Sequence, residues 1–197
     1  MIINKKKTKV NFPGDEPLEV IHEIKLLGVM ITSDLTWNSH VQYITKNASK
    51  KLWHLIRFKN MGGTVKQLLR IFELKVRTLL EFSAPVFHFS LTKEQSQKIE
   101  LVQKKALAII LGNRYHSYKV ALQQTKLERL DLRREKLCYK FALKCTKNPR
   151  HSEMFPLNPH IRKNMRKPKL YKEFNCKTIR FYKSAVPYMT WLLNKNN

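Results

Sequence analysis

The sequence predicts a mainly α fold: a helical bundle preceded by a small β hairpin or sheet remnant and followed by a basic, partly extended tail. Three observations predict it. From Trp37 to Cys145, apolar residues recur at helical spacing in one segment after another. Ahead of that stretch lie two short runs rich in Val, Ile and Leu. Beyond Thr146 the periodicity gives way to repeated X-Pro steps among basic and aromatic residues. The predicted divisions are therefore 1–36, 37–145 and 146–197.

In chain order, Thr8–Phe12 alternates weakly and ends at Pro13-Gly14-Asp15-Glu16-Pro17, a turn signal. Leu18–Ile24 and Leu26–Ile31 read as strands separated by Lys25, the second containing Gly28, where a backbone bends or is closely approached. Val41, Ile44, Ala48, Leu52 and Leu55 share one face of a helix that ends near Lys59, before Gly62-Gly63. Thr64-Val65-Lys66-Gln67 is a capping box opening a second helix, with Leu68, Phe72, Val76, Leu79 and Leu80 inward and a bend marked by Pro85.

Thr92-Lys93-Glu94-Gln95 repeats the capping signal. It opens a helix with Ile99, Val102, Ala106, Ile109 and Ile110 inward, and Gly112 is placed to end it. A short helix covers Tyr118–Gln124, and another runs from about Asp131 to Cys145 with Leu137, Phe141 and Cys145 inward. The tail reads as an extended segment that docks by its aromatics, Tyr171, Phe174, Phe181, Tyr182, Tyr188 and Trp191.

Charge separates the same three regions. The 197 residues hold 39 Lys plus Arg against 14 Asp plus Glu, a net charge of +25. Residues 1–36 are neutral overall, residues 37–145 carry +15 and residues 146–197 carry +10. Such an excess exceeds what solubility asks of a surface and favours polyanions through counterion release. Candidate phosphate contacts are Lys46, Lys50, Lys51 and Arg57 on the first helix, and Lys66, Arg70 and Arg77 on the second, where spacings of four and seven return to one face. The pairs Lys104-Lys105 and Arg133-Arg134 complete the set. The partners this implies are RNA, DNA or an RNA/DNA hybrid.

Other chemistry finds little support. Two-metal nucleotidyl transfer needs clustered carboxylates, and only Asp15, Asp34 and Asp131 are aspartates. The adjacent pair Asp15-Glu16, the only basis for a metal-dependent nuclease reading, is explained as turn chemistry. His151-Ser152-Glu153 lacks the P-C-x-x-C that a zinc deaminase requires, and Cys138, Cys145 and Cys176 form no CxxC pair. No phosphate-cradling glycine loop is present. No cofactor is expected for this chain. The sequence shows no signal peptide and no membrane-spanning run, so an intracellular location, nucleus or cytoplasm, is expected.

The motif order resembles the C-terminal part of the reverse transcriptase of non-LTR (LINE-type, Jockey-like) retrotransposons. Asn4-Lys5-Lys6-Lys7-Thr8-Lys9 is similar to the N-x-x-K-T-K segment after the catalytic Tyr-x-Asp-Asp turn. Ile24-Lys25-Leu26-Leu27-Gly28-Val29, then Leu35-Thr36-Trp37 and His40, resembles the palm-to-thumb junction of those enzymes. Gln103-Lys104-Lys105-Ala106 with Gly112, Leu130 with Arg133-Arg134, and the run from Thr178 to Asn194 resemble later motifs in the same order.

The resemblance implies that residues 1–36 end a palm and that Leu27 and Gly28 lie at a primer-grip-like position. Lys7 would match the lysine after the catalytic turn, and residues from about Trp37 would form a thumb-like bundle gripping template–primer. It also implies a truncated segment that lacks fingers, palm core and catalytic aspartates. Mg2+ would then serve only the intact parent enzyme. The alternative expectation is a non-enzymatic basic RNA- or DNA-binding adaptor unrelated to retroelements.

Overall fold

The computed structural model describes residues 21–159 and 169–196. The segment Thr8–Phe12, the turn with Asp15 and Glu16, Lys7, the start of the first strand run and the Lys167-Pro168 step lie outside the described residues.

Strands β1 (Glu23–Leu26) and β2 (Val29–Thr32) pair antiparallel, with Leu26 opposite Val29. The two-residue turn between them is Leu27-Gly28, with φ of +47° and +86°. Positive φ at both central residues is the turn that matches strand twist. This corrects the expected break at Lys25, which instead pairs with Met30 inside the ladder. Gly28 is needed for its φ, and it lies close under the ring of Phe82.

Helix α1 (Asn38–Asn60) buries Val41, Ile44, Ala48, Leu52 and Leu55, the stripe expected from spacing, together with His40. The hairpin sits on this helix: the Met30 amide donates to His40 Nδ1 at 3.3 Å. Thr64 and Gln67 form both bonds of the capping box that opens α2 (Val65–Ile71). The helix then widens to π geometry over Phe72–Arg77 before α3 (Thr78–Glu81).

The widening affects which side chains this segment keeps on one line. Leu68, Phe72, Val76 and Leu80 repeat every four positions. In a pure α-helix each such step drifts by about 40° around the axis. A wider turn holds more residues, so it cancels part of that drift and keeps the four side chains on one line. The chain breaks at Phe82-Ser83, where Ser83 has φ +54°. Pro85 lies in the first turn of α4 (Ala84–Phe87), so it starts the next helix instead of bending the previous one.

Thr92 and Gln95 cap α5 (Lys93–Leu111), and Gly112 ends it at φ +53°. Ser117 caps α6 (Tyr118–Thr125). Helix α7 (Leu130–Lys147) buries Leu130, Arg134, Cys138, Ala142 and Cys145. The expected stripe through Leu137 and Phe141 is thus rotated: Phe141 is exposed.

The described residues of the tail hold more helix than expected. After α8 (Pro149–Ser152), Leu157 and Tyr171 form an isolated bridge, α9 spans Ile179–Tyr182 and α10 spans Ala185–Lys195. Helix α10 packs on α7 and α4. Pro187 falls in its first turn, where a missing N–H does no harm. Of the tail aromatics, Tyr171 and Tyr188 are partly buried, whereas Phe174, Phe181, Tyr182 and Trp191 stay exposed.

One core gathers α1, the α2–α3 segment, α5 and the start of α7 around Leu55, Phe72, Phe87, Ile99 and Leu130. A second joins Ala142 and Cys145 to Phe155, Met189 and Leu193 of the tail. The Arg180 guanidinium also donates to the Asp34 carbonyl at 2.7 Å, tying the tail to the loop after the hairpin. Among the described residues, no helix is long and apolar enough to cross a membrane.

Candidate nucleic-acid interface

Helix α1 is 23 residues long and contains no Asp or Glu. Its buried stripe leaves the opposite face to solvent. Steps of three, four and seven bring Lys46, Lys50, Trp53 and Arg57 onto that face. The three cations are exposed, and none makes an ion pair among the described residues. The hairpin lengthens the line: Lys25 Nζ donates to the Tyr43 hydroxyl at 2.7 Å and lies over its ring, one turn before Lys46.

Trp53 is 52% exposed. The Arg57 guanidinium stacks 4.8 Å from its ring centroid and His54 meets it edge-on at 5.3 Å. Sequence reading for cations alone missed Trp53. The signal was present, since it stands three positions after Lys50 and four before Arg57. Lys59 is spent on structure: its ammonium donates to the Ile109 carbonyl at 2.5 Å.

The other expected contacts divide by environment. Lys51 is exposed but rotated away from this line, and Lys66 is exposed in the first turn of α2. Arg70 is exposed and only loosely paired with Glu73 at 3.9 Å. Arg77 is largely covered and held by Glu73 at 2.9 Å. The π turn takes up extra residues between Arg70 and Arg77, so a spacing of seven no longer returns to one line. Lys104 and Lys105 are exposed on the side of α5 opposite its buried stripe, apart from the α1 face.

The last pair requires correction. Arg133 is bonded through two nitrogens to the Glu81 carboxylate, at 2.5 and 3.1 Å. That partner holds its guanidinium charged and occupied. Arg134 is fully buried, bonded to Ser96 Oγ at 3.0 Å and His88 Nδ1 at 3.4 Å, with no partner for Nη1 among the described residues. It cannot meet a phosphate in this fold. A dibasic motif on a helix reads as surface charge, yet here one arginine occupies a core position. Leu27 and Gly28 form the hairpin tip, where Leu27 is 88% exposed.

Burial pushes the Cys138 thiol up to about 12, and its sulfur faces the Ala84 carbonyl at 3.8 Å. Burial also lowers His40 and His88 to about 4, so both rings are neutral at physiological pH. Among the described residues, no three His, Cys, Asp or Glu side chains gather in a way that could hold a metal ion. Comparison of the chain with known protein families, curated proteins and solved structures gives no match.

Proposed function

We propose that this chain is the nucleic-acid-gripping, thumb-like part of a non-LTR-type reverse transcriptase, holding template–primer through phosphates with little sequence preference. The observation that carries the reading is the outer face of α1. Lys46, Lys50 and Arg57 stand on one line of a helix without a single acidic residue. A solvated helix face ordinarily mixes both signs, and a one-sign line matches a phosphate backbone. The order of motifs along the sequence supports the polymerase origin. On this reading the aspartates and Mg2+ that perform nucleotidyl transfer belong to a palm core outside this chain. The chain's own contribution is position, and its location is intracellular.

The test is a salt titration of binding to an RNA/DNA hybrid. Affinity should fall by roughly 10^3-fold or more between 50 and 200 mM salt if six or more phosphates are neutralised. A slope near zero removes the reading. The coding DNA upstream of the Met1 codon tests the polymerase origin separately: an in-frame Tyr-x-Asp-Asp run supports it, and non-coding sequence with a promoter points to an unrelated basic adaptor.

A further inference from the structure

We infer that the cleft beside Trp53 is a base-stacking site for single-stranded nucleic acid, an inference that rests on the nucleic-acid reading and adds an unpaired strand to the paired one. The cleft has a volume of about 280 Å3 and is lined by Trp53, His54, Arg57, Phe58, Met61 and Ile71. Apart from the cationic tip of Arg57 and the imidazole of His54, its walls are apolar or aromatic. Trp53 is half exposed and Met61 is 78% exposed.

Intact duplex gives these groups nothing to do. Its base faces are stacked on one another, and its outer surface offers phosphates, which the line of cations already suits. An exposed indole and a thioether have no use for a phosphate, whereas both match the π-face of an unstacked base. Arg57 links the two kinds of contact. Its guanidinium is planar, so it can lie against an aromatic ring while its N–H groups reach a phosphate oxygen. Lys50 stands one turn before Trp53 and Lys46 a further turn away, so a strand lying along α1 would meet cation, cation, stacking surface, cation in order. That order suits a polymer with a phosphate and a base in each unit. The surplus of positive charge around the cleft disfavours a basic or neutral apolar peptide as occupant.

The experiment uses the full chain and two fluorescent probes of matched composition, a single-stranded RNA of twelve nucleotides and a blunt hairpin duplex. Binding is read by anisotropy for the wild type, Trp53→Ala and Trp53→Phe, with circular dichroism confirming that each variant keeps its helix content. Trp53→Ala should weaken single-strand binding by about tenfold and change duplex binding by less than about twofold, while Trp53→Phe keeps most of the affinity. On the wild type, ultraviolet crosslinking of a 5-iodouridine-substituted strand should map to the peptide containing Trp53. Equal loss on both probes, no loss with Trp53→Ala, or crosslinks mapping elsewhere would overturn the stacking site and leave the phosphate grip standing. A wild type that binds neither probe overturns both.

Discussion

The ammonium of Lys59, in the last turn of α1, reaches the carbonyl of Ile109 in the last turn of α5 at 2.5 Å. The final carbonyls of a helix lack partners within it and carry the negative end of its dipole. Helix α5 has no basic residue of its own in that turn. Lys59 supplies the missing cation from a neighbouring element and ties together the C-terminal ends of two helices that pack side by side. Lys59→Met should therefore lower stability by about 1–2 kcal/mol in urea unfolding. Gly112→Ala should act on the same contact, because its Cβ would stand 2.7 Å from Lys59 Nζ at a φ that side chains rarely adopt. The two substitutions together should cost less than their sum; strict additivity would show that they act independently.

Arg133 and Arg134 should respond in opposite ways to the same substitution. Arg133→Met leaves the largely buried Glu81 carboxylate without its bidentate partner, so a loss of about 3 kcal/mol is expected. Arg134→Met replaces a buried, incompletely bonded cation with an apolar chain of similar length. Its melting temperature should hold or rise, since well-packed apolar replacements of buried charge are neutral or stabilising by about 1–4 kcal/mol. Thermal melts of the two variants decide it, and equal destabilisation would contradict this assignment.

Salt dependence should separate interface cations from structural ones. Each phosphate contact contributes about 0.9 to the slope of log affinity against log salt on duplex DNA. Lys50→Ala should reduce the slope by about that amount, and Arg134→Met should leave it unchanged. Identical slopes for wild type and Lys50→Ala would remove Lys50 from the interface.

Stability should fall with acid through two buried histidines. His40 and His88 have their pKa lowered from 6.5 to about 4, chiefly by burial, with Arg134 adding to the effect at His88. Between those values the unfolded chain binds more protons than the folded one, so stability rises with pH across the window. It is fully present above about 6.5 and is lost as pH falls towards 4. The full effect is on the order of 3 kcal/mol for each ring. Urea midpoints at pH 7.5 and 5 measure it, and a flat profile would show that the rings are solvated.

The parts of this fold legible in the sequence are those where local chemistry and packing agree. The stripe of α1, both capping boxes and Gly112 each follow from a residue type whose local bonding suits that place. The hairpin register did not, because Leu27 takes a left-handed φ in a turn where Asn, Asp or Gly is the usual signal. The face of α7 was misplaced because Arg134 sits in its buried stripe, and a count of apolar residues shifts to Leu137 and Phe141 instead. Helix α10 hid behind Val186-Pro187, since a proline in a first turn looks the same in sequence as one that breaks a helix. The shared exposed face of Lys46, Lys50 and Arg57 on α1 is readable from spacing. The engagement of Arg133 and Arg134 is not, because Glu81 and Ser96 are brought to them by packing across 52 and 38 positions, whereas Glu73 lies four positions before Arg77 and its pairing is legible.

The bond from Arg180 to the Asp34 carbonyl spans 146 positions. During synthesis the helices from α1 to α5 can close on one another as they emerge, whereas this clamp must wait for residue 180. At ordinary translation rates of about 5–20 residues per second, that interval is roughly 7–30 s. The loop at Asp34 passes that time without its latch. A ribosome stalled before residue 180 would present a nascent chain whose bundle has formed and whose loop after the hairpin is still untied.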